Sequence, residues 1–155
     1  MTLAVRAMAL EDVPACAEVI DGLGFFQDYG LSGGAVAALL TDALATPGRV
    51  LRVAEAEGAI QGFAWVVREG AFDRSAYLRL IAVLDDARGA GVGRALMDAL
   101  EADLLSETGL VVLVTETNGA ARGFYERLEY RLVGALPDYV KPGVCECIYF
   151  KPSRI

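Results

Sequence analysis

The chain predicts an α/β (α+β) fold, a mixed sheet with helices on its faces, and three observations carry that expectation. Tyr77-Leu78-Arg79-Leu80-Ile81-Ala82-Val83-Leu84 is an apolar run broken only by Arg79, the mark of a strand buried on both faces. Arg88-Gly89-Ala90-Gly91-Val92-Gly93 follows, and Val92, Leu96, Leu100 and Leu104 then repeat at the spacing of one helical face. Leu110–Thr115 reads as the next strand, so the unit between them is a right-handed parallel crossover.

The remaining elements fall around that unit. Thr2–Arg6 predicts a first strand. Glu11 and Asp12 sit near a helix start, and the helical pattern through Val13, Ala17 and Ile20 ends at Gly22 and Gly24. Phe25 to Gly30 is expected to be an aromatic loop, and Ala35–Leu44 a second helix that stops before Pro47-Gly48. Arg49–Glu57 and Ile60–Arg68 form a hairpin around Glu57-Gly58-Ala59. Asn118 caps a helix running to Leu128. Tyr130–Ala135 and Val144–Phe150 close the chain as two strands. With no internal repeat, low-complexity run or linker, residues 1–155 are expected to form one domain.

Composition narrows the chemistry. The net charge is −7, and Lys141 and Lys151 are the only lysines. Such a chain is a poor ligand for nucleic acid and better suited to a cationic substrate. No segment reaches the ~20 apolar residues of a membrane span, and the N-terminus has no secretion-signal pattern, so the expectation is no membrane and a cytoplasmic location. Histidine is absent, which removes Ser-His-Asp and Cys-His catalysis and nearly all catalytic zinc sites. Cys16, Cys145 and Cys147 lack the spacing of a metal or redox motif, so reduced structural thiols and no metal are expected.

Glycines packed against a helix start leave backbone N–H groups uncovered, where the helix dipole adds partial positive charge. The turn therefore suits a phosphate or pyrophosphate. It is not a dinucleotide fingerprint, because the third glycine position falls on Arg94 or Leu96, nor a P-loop, because it contains no lysine. What remains is Arg-x-x-Gly-x-Gly between a buried strand and a helix, with Arg88, Arg94, Arg122 and Arg127 close by in sequence.

This turn and the element order resemble the GNAT superfamily of N-acetyltransferases, which bind acetyl-coenzyme A. A second block, Asn118, Ala121, Phe124 and Tyr125 in Asn-Gly-Ala-Ala-Arg-Gly-Phe-Tyr, also resembles the family. The resemblance implies a mostly antiparallel mixed sheet with a splayed parallel central pair. It implies pyrophosphate on the amides of Gly89, Ala90, Gly91, Val92, Gly93 and Arg94, with charge from Arg88 and Arg94. The pantetheine arm would pair with Ile81, Ala82 and Val83 where a bulge opens the strands, and Tyr125 would be the general acid. The family's Gly-Phe/Tyr after that helix is here Glu129-Tyr130, which predicts a local cost at a position suited to positive φ.

The family's usual strand glutamate is missing, so the base stays open among Glu69, Asp73 and a water chain. Phe26, Tyr29 and Tyr139 are candidates for the acceptor side, with Phe25 and Phe26 equally readable as core plugs. The implied activity is acetyl transfer to a primary amine of a small molecule, peptide or protein. A non-catalytic acyl-coenzyme A sensor of the same fold is the alternative, and a phosphate-binding domain of unrelated fold a third. A homodimer follows from family habit alone.

Overall fold

The computed structural model describes residues 2–154. Its seven strands are β1 (Ala4–Ala7), β2 (Arg49–Ala56), β3 (Ala59–Ala71), β4 (Ser75–Val83), β5 (Leu110–Thr115), β6 (Arg131–Pro137) and β7 (Cys145–Lys151). The helices are α1 (Val13–Asp21), α2 (Gly24–Asp28), α3 (Gly33–Leu44), α4 (Val92–Leu104) and α5 (Gly119–Arg127). The strands form one sheet in the order β1-β2-β3-β4-β5-β7-β6, parallel only between β4 and β5.

One feature departs from the sequence reading and one goes beyond it. The aromatic stretch Phe25 to Gly30 is not all loop, since most of it forms the short helix α2. The sequence reading is silent on the spatial order of the two last strands, and here β7 inserts between β5 and β6. Neither hydrophobic period nor turn chemistry specifies which strand becomes the neighbour of β5.

Each face of the sheet is covered. On one face, α4 buries Val92, Leu96, Met97, Leu100 and Leu104 against Val50, Ala64, Val66, Leu78 and Val112. Every position of the apolar stripe expected on that helix is buried, each large side chain contributing about 1.5–3 kcal/mol. On the other face, Val13, Cys16, Val19 and Ile20 of α1 and Val36 and Leu40 of α3 cover Leu51, Val53, Phe63, Trp65, Leu80 and Ala82. Ser32 accepts a 3.1 Å hydrogen bond from the Ala35 N–H and so starts α3 two residues earlier than expected.

None of the three cysteines is in a disulfide. Burial pushes the Cys16 thiol up to about 12, in keeping with an inert structural residue.

Candidate active site

The site begins with an irregularity in β4. Trp65 of β3 pairs with Leu80, but Val66 pairs with Leu78, leaving Arg79 as an extra residue. This is a β-bulge, and it bends its strand. Leu78 consequently joins the core under α4, while Leu80 and Ala82 join the core under α1 and α3. The apolar run thus serves both faces by changing face at Arg79, whose guanidinium lies 5.4 Å from the Trp65 ring centroid. Pairing between β4 and β5 covers only Ala76, Tyr77 and Leu78, opposite Leu110, Val111 and Val112. Beyond Leu78 the strands part. The β4 edge carrying Ile81, Ala82 and Val83 has no strand partner on the β5 side.

The glycine turn stands at the open end of this gap. Gly89 and Gly91 have φ of 81° and 83°, the left-handed region that a side chain disfavours. Ala95 N–H begins the helical ladder by donating to Gly91 O. Among the described residues the amides of Gly89, Gly91, Val92, Gly93 and Arg94 have no backbone acceptor, whereas Ala90 N–H already donates to Ala87 O. The turn can therefore bind an anion through its main chain. Its arginines are partly engaged: Arg88 pairs with Asp85 at 3.1 Å and Arg94 lies 3.8 Å from Asp98.

Helix α5 packs beside the turn. Asn118 Oδ1 accepts from Ala121 N–H at 3.1 Å, the expected cap. A Cβ on Gly93 would stand 3.3 Å from Phe124 Cζ, so the absence of a side chain there leaves room for the Phe124 ring against the start of α4. Arg122 is a tether: it donates to Tyr149 Oη at 3.0 Å and to Glu116 O at 3.2 Å. Tyr125 is buried, edge-on to Phe124 and Tyr130, in the core under α4. Burial pushes its phenol well above the ordinary value. The hydroxyl makes no hydrogen bond among the described residues, so its proton is uncommitted.

The end of α5 adopts the conformation that the missing glycine would favour. Glu129 has φ of 70°, Tyr130 N–H donates to Tyr125 O and Glu129 N–H to Glu126 O, both at 3.0 Å. This is a Schellman cap with an exposed glutamate in the glycine position.

On the opposite face, at the same open end, three polar side chains meet. Tyr29, at the C-terminus of α2, hydrogen-bonds to Thr115 and donates to Glu146 Oε2 at 3.0 Å. Thr115 and Glu146 are register partners on β5 and β7, with Thr115 Oγ1 3.3 Å from Glu146 Oε2. Burial pushes the Tyr29 and Tyr77 phenols up, and both feel the Glu146 charge. Of the expected acceptor-side residues, Tyr29 stands at the gap. Phe26 packs into the core of α1 and α3, and Tyr139 is 61% exposed on the loop between β6 and β7. Glu69 and Asp73 are exposed at the β3–β4 hairpin, at the other end of β4 from the glycine turn. Glu146 escaped the sequence reading because only the insertion of β7 beside β5 brings it to the gap.

A family model described as the acetyltransferase (GNAT) domain matches residues 47–132. The chain is 41% identical over 66 residues to blasticidin-S acetyltransferase of Streptomyces morookaense, covering 42% of this chain and 48% of that protein. It is 34% identical over 84 residues to 5-NmdU N-acetyltransferase of Pseudomonas phage PaMx11, covering 54% of this chain and 59% of that protein. These matches span about half the length of the curated relatives. In fold the chain is similar to an aminoglycoside 6'-N-acetyltransferase crystallised with coenzyme A, with a TM-score of 0.80, 15% identity and 98% of each chain covered. The glycine turn, the parted β4–β5 pair and a family match over more than half its length agree: the chain belongs to the GNAT family of acetyltransferases.

Proposed function

We propose that this chain transfers an acetyl group from acetyl-coenzyme A to a primary amine by direct attack. The observation that carries the proposal is the parting of β4 from β5 beside a glycine turn with five uncommitted amides. The donor set suits a diphosphate at one end, and the unpaired strand edge at Ile81, Ala82 and Val83 suits an amide-bearing arm. Acetyl-coenzyme A, when bound, supplies the activated acyl carbon and a thiolate leaving group. The amides of Gly89, Gly91, Val92, Gly93 and Arg94 orient it, with Arg88 and Arg94 adding exposed charge.

Tyr125 is the proposed acid. The matched-pKa argument for a free phenol does not carry over unchanged, because burial raises this one. The same apolar surroundings raise a thiol, so donor and receiver shift together. The phenol stays protonated throughout the neutral range and keeps its proton for the departing sulfur.

Thermal-shift and thiol-release assays with acetyl-coenzyme A and a panel of primary amines test this reading. Stabilisation with amine-dependent thiol release is expected. Stabilisation without release on any amine would favour the acyl-coenzyme A sensor, and no stabilisation would remove the assignment. Tyr125→Phe is expected to lower kcat about 100-fold with cofactor affinity nearly intact. Unchanged turnover would retire Tyr125.

A further inference from the structure

Among the described residues Glu101, Thr115 and Glu146 are buried polar or charged side chains, and the two glutamates are treated very differently. Glu101, 4% exposed, receives Lys151 Nζ at 2.8 Å, Arg154 Nη2 at 3.2 Å and Tyr130 Oη at 2.9 Å. Its charge is neutralised within the chain. Glu146, 5% exposed, has no lysine or arginine within ion-pair distance among the described residues. Its side-chain partners are the hydroxyls of Tyr29 and Thr115.

Those hydroxyls carry two protons for three contacts, since Tyr29 and Thr115 also bond to each other. From the described residues, then, at most two hydrogens reach a carboxylate with about four lone-pair sites. A buried carboxylate so under-supplied is costly unless a cation completes it. The fold leaves one direction of approach for a cation. Glu146 faces the α1–α3 side of the sheet at the open end of the β4–β5 gap, whereas Tyr125 belongs to the core on the α4 side.

We infer that Glu146, held by Tyr29 and Thr115, is the receptor for the acceptor's ammonium group, and that this selects small cationic amines as acceptors. The inference rests on the acetyl-transfer reading and assigns its missing base. One proton of the ammonium passes to a Glu146 carboxylate oxygen. The freed nitrogen lone pair forms the C–N bond, the C–S bond breaks, the sulfur takes a proton from Tyr125, and the second nitrogen proton leaves for solvent or to restore the phenol. The product nitrogen is a neutral amide and no longer holds the carboxylate, which favours its release.

The test compares wild type with Glu146→Gln and Tyr29→Phe, using small alkyl and benzyl amines, diamines, and benzhydrazide, whose terminal nitrogen is uncharged at pH 7. In Glu146→Gln, KM for the cationic amines is expected to rise about tenfold and kcat to fall about 100-fold. Acetyl-coenzyme A affinity and turnover of benzhydrazide are expected to change far less. Tyr29→Phe is expected to raise KM for the amines with a smaller effect on kcat. Equal losses on amine and hydrazide, or an unchanged KM, would overturn the inference.

Two readouts need no turnover. Direct binding of the amines should depend on Glu146, and if it does while no thiol is released, the receptor stands and the transfer reading falls. Binding that ignores Glu146 would overturn the receptor. Melting of the free protein should be unchanged or raised by Glu146→Gln but lowered by Glu101→Gln. A comparable fall in both would make Glu146 structural and overturn the inference.

Discussion

Glu129→Gly should stabilise this protein. Glu129 holds φ of 70° at the end of α5, a conformation that costs an L-residue about 1–2 kcal/mol. Its side chain is exposed and makes no hydrogen bond or ion pair among the described residues, so the substitution removes no favourable contact. It also removes a negative charge from a helix C-terminus, where the dipole disfavours it by a few tenths of a kcal/mol. Against this, glycine adds about 0.4–1 kcal/mol of chain entropy to the unfolded state. The balance is a gain of roughly 0.5–1 kcal/mol, or about 1–4 °C in Tm for a chain of this size. Glu129→Ala is the control: it removes the charge but keeps the Cβ, and should gain only a few tenths of a kcal/mol. Urea unfolding and thermal melts on the three proteins measure the difference. Since the cap's two backbone bonds are unchanged, turnover should not move. If Glu129→Gly is no more stable than Glu129→Ala, the backbone-strain reasoning is wrong.

Asp12 supplies an acid-sensitive contribution. The side-chain hydrogen bonds from Arg6, aided by the Ala9 N–H, hold its carboxyl below the usual range. A depressed carboxylate adds stability above its unfolded value of about 3.9 and loses it as pH falls through the folded value. Asp12→Asn should therefore be less stable at pH 7, by about 1 kcal/mol because Arg6 is partly exposed, with the gap closing below about pH 4. A pH-independent gap in Tm would refute the linkage. Gly62→Ala and Gly34→Ala make the same chemical change with opposite sign. A Cβ on Gly62 would stand 2.7 Å from Ala82 O and 3.2 Å from Val92 Cγ1, while Gly34 faces open space in α3. The first should lose about 1–3 kcal/mol and weaken acetyl-coenzyme A binding, and the second should gain about 0.5 kcal/mol in urea melts.

The local features were legible in the sequence because local chemistry determines them. The buried face of α4 follows from a 3.6-residue period, the left-handed turn from Gly89 and Gly91, and the α5 start from Asn118. The helical turn at Gly24–Asp28 was hidden by its aromatic content, which reads equally well as loop or plug. The proposed base, Glu146, was illegible for a different reason. Glu146 lies 31 residues from Thr115 and 117 from Tyr29, and it reaches them only because β7 lies between β5 and β6. No spacing rule encodes that adjacency. Tyr125, the proposed acid, is named from its place in a block, but its altered acidity required knowing how deeply it is buried.

Arg79 occupies a position that keeps count rather than identity. Its side chain is exposed, so many residue types could stand there without touching either core. Deleting it would be another matter: the ladder with β3 would close into regular register with Leu80 and Ala82 still opposite Trp65 and Phe63, and the bulge that bends β4 where it leaves β5 would be lost. Natural variation at this point should therefore alter the letter freely while preserving the spacing between Leu78 and Leu80.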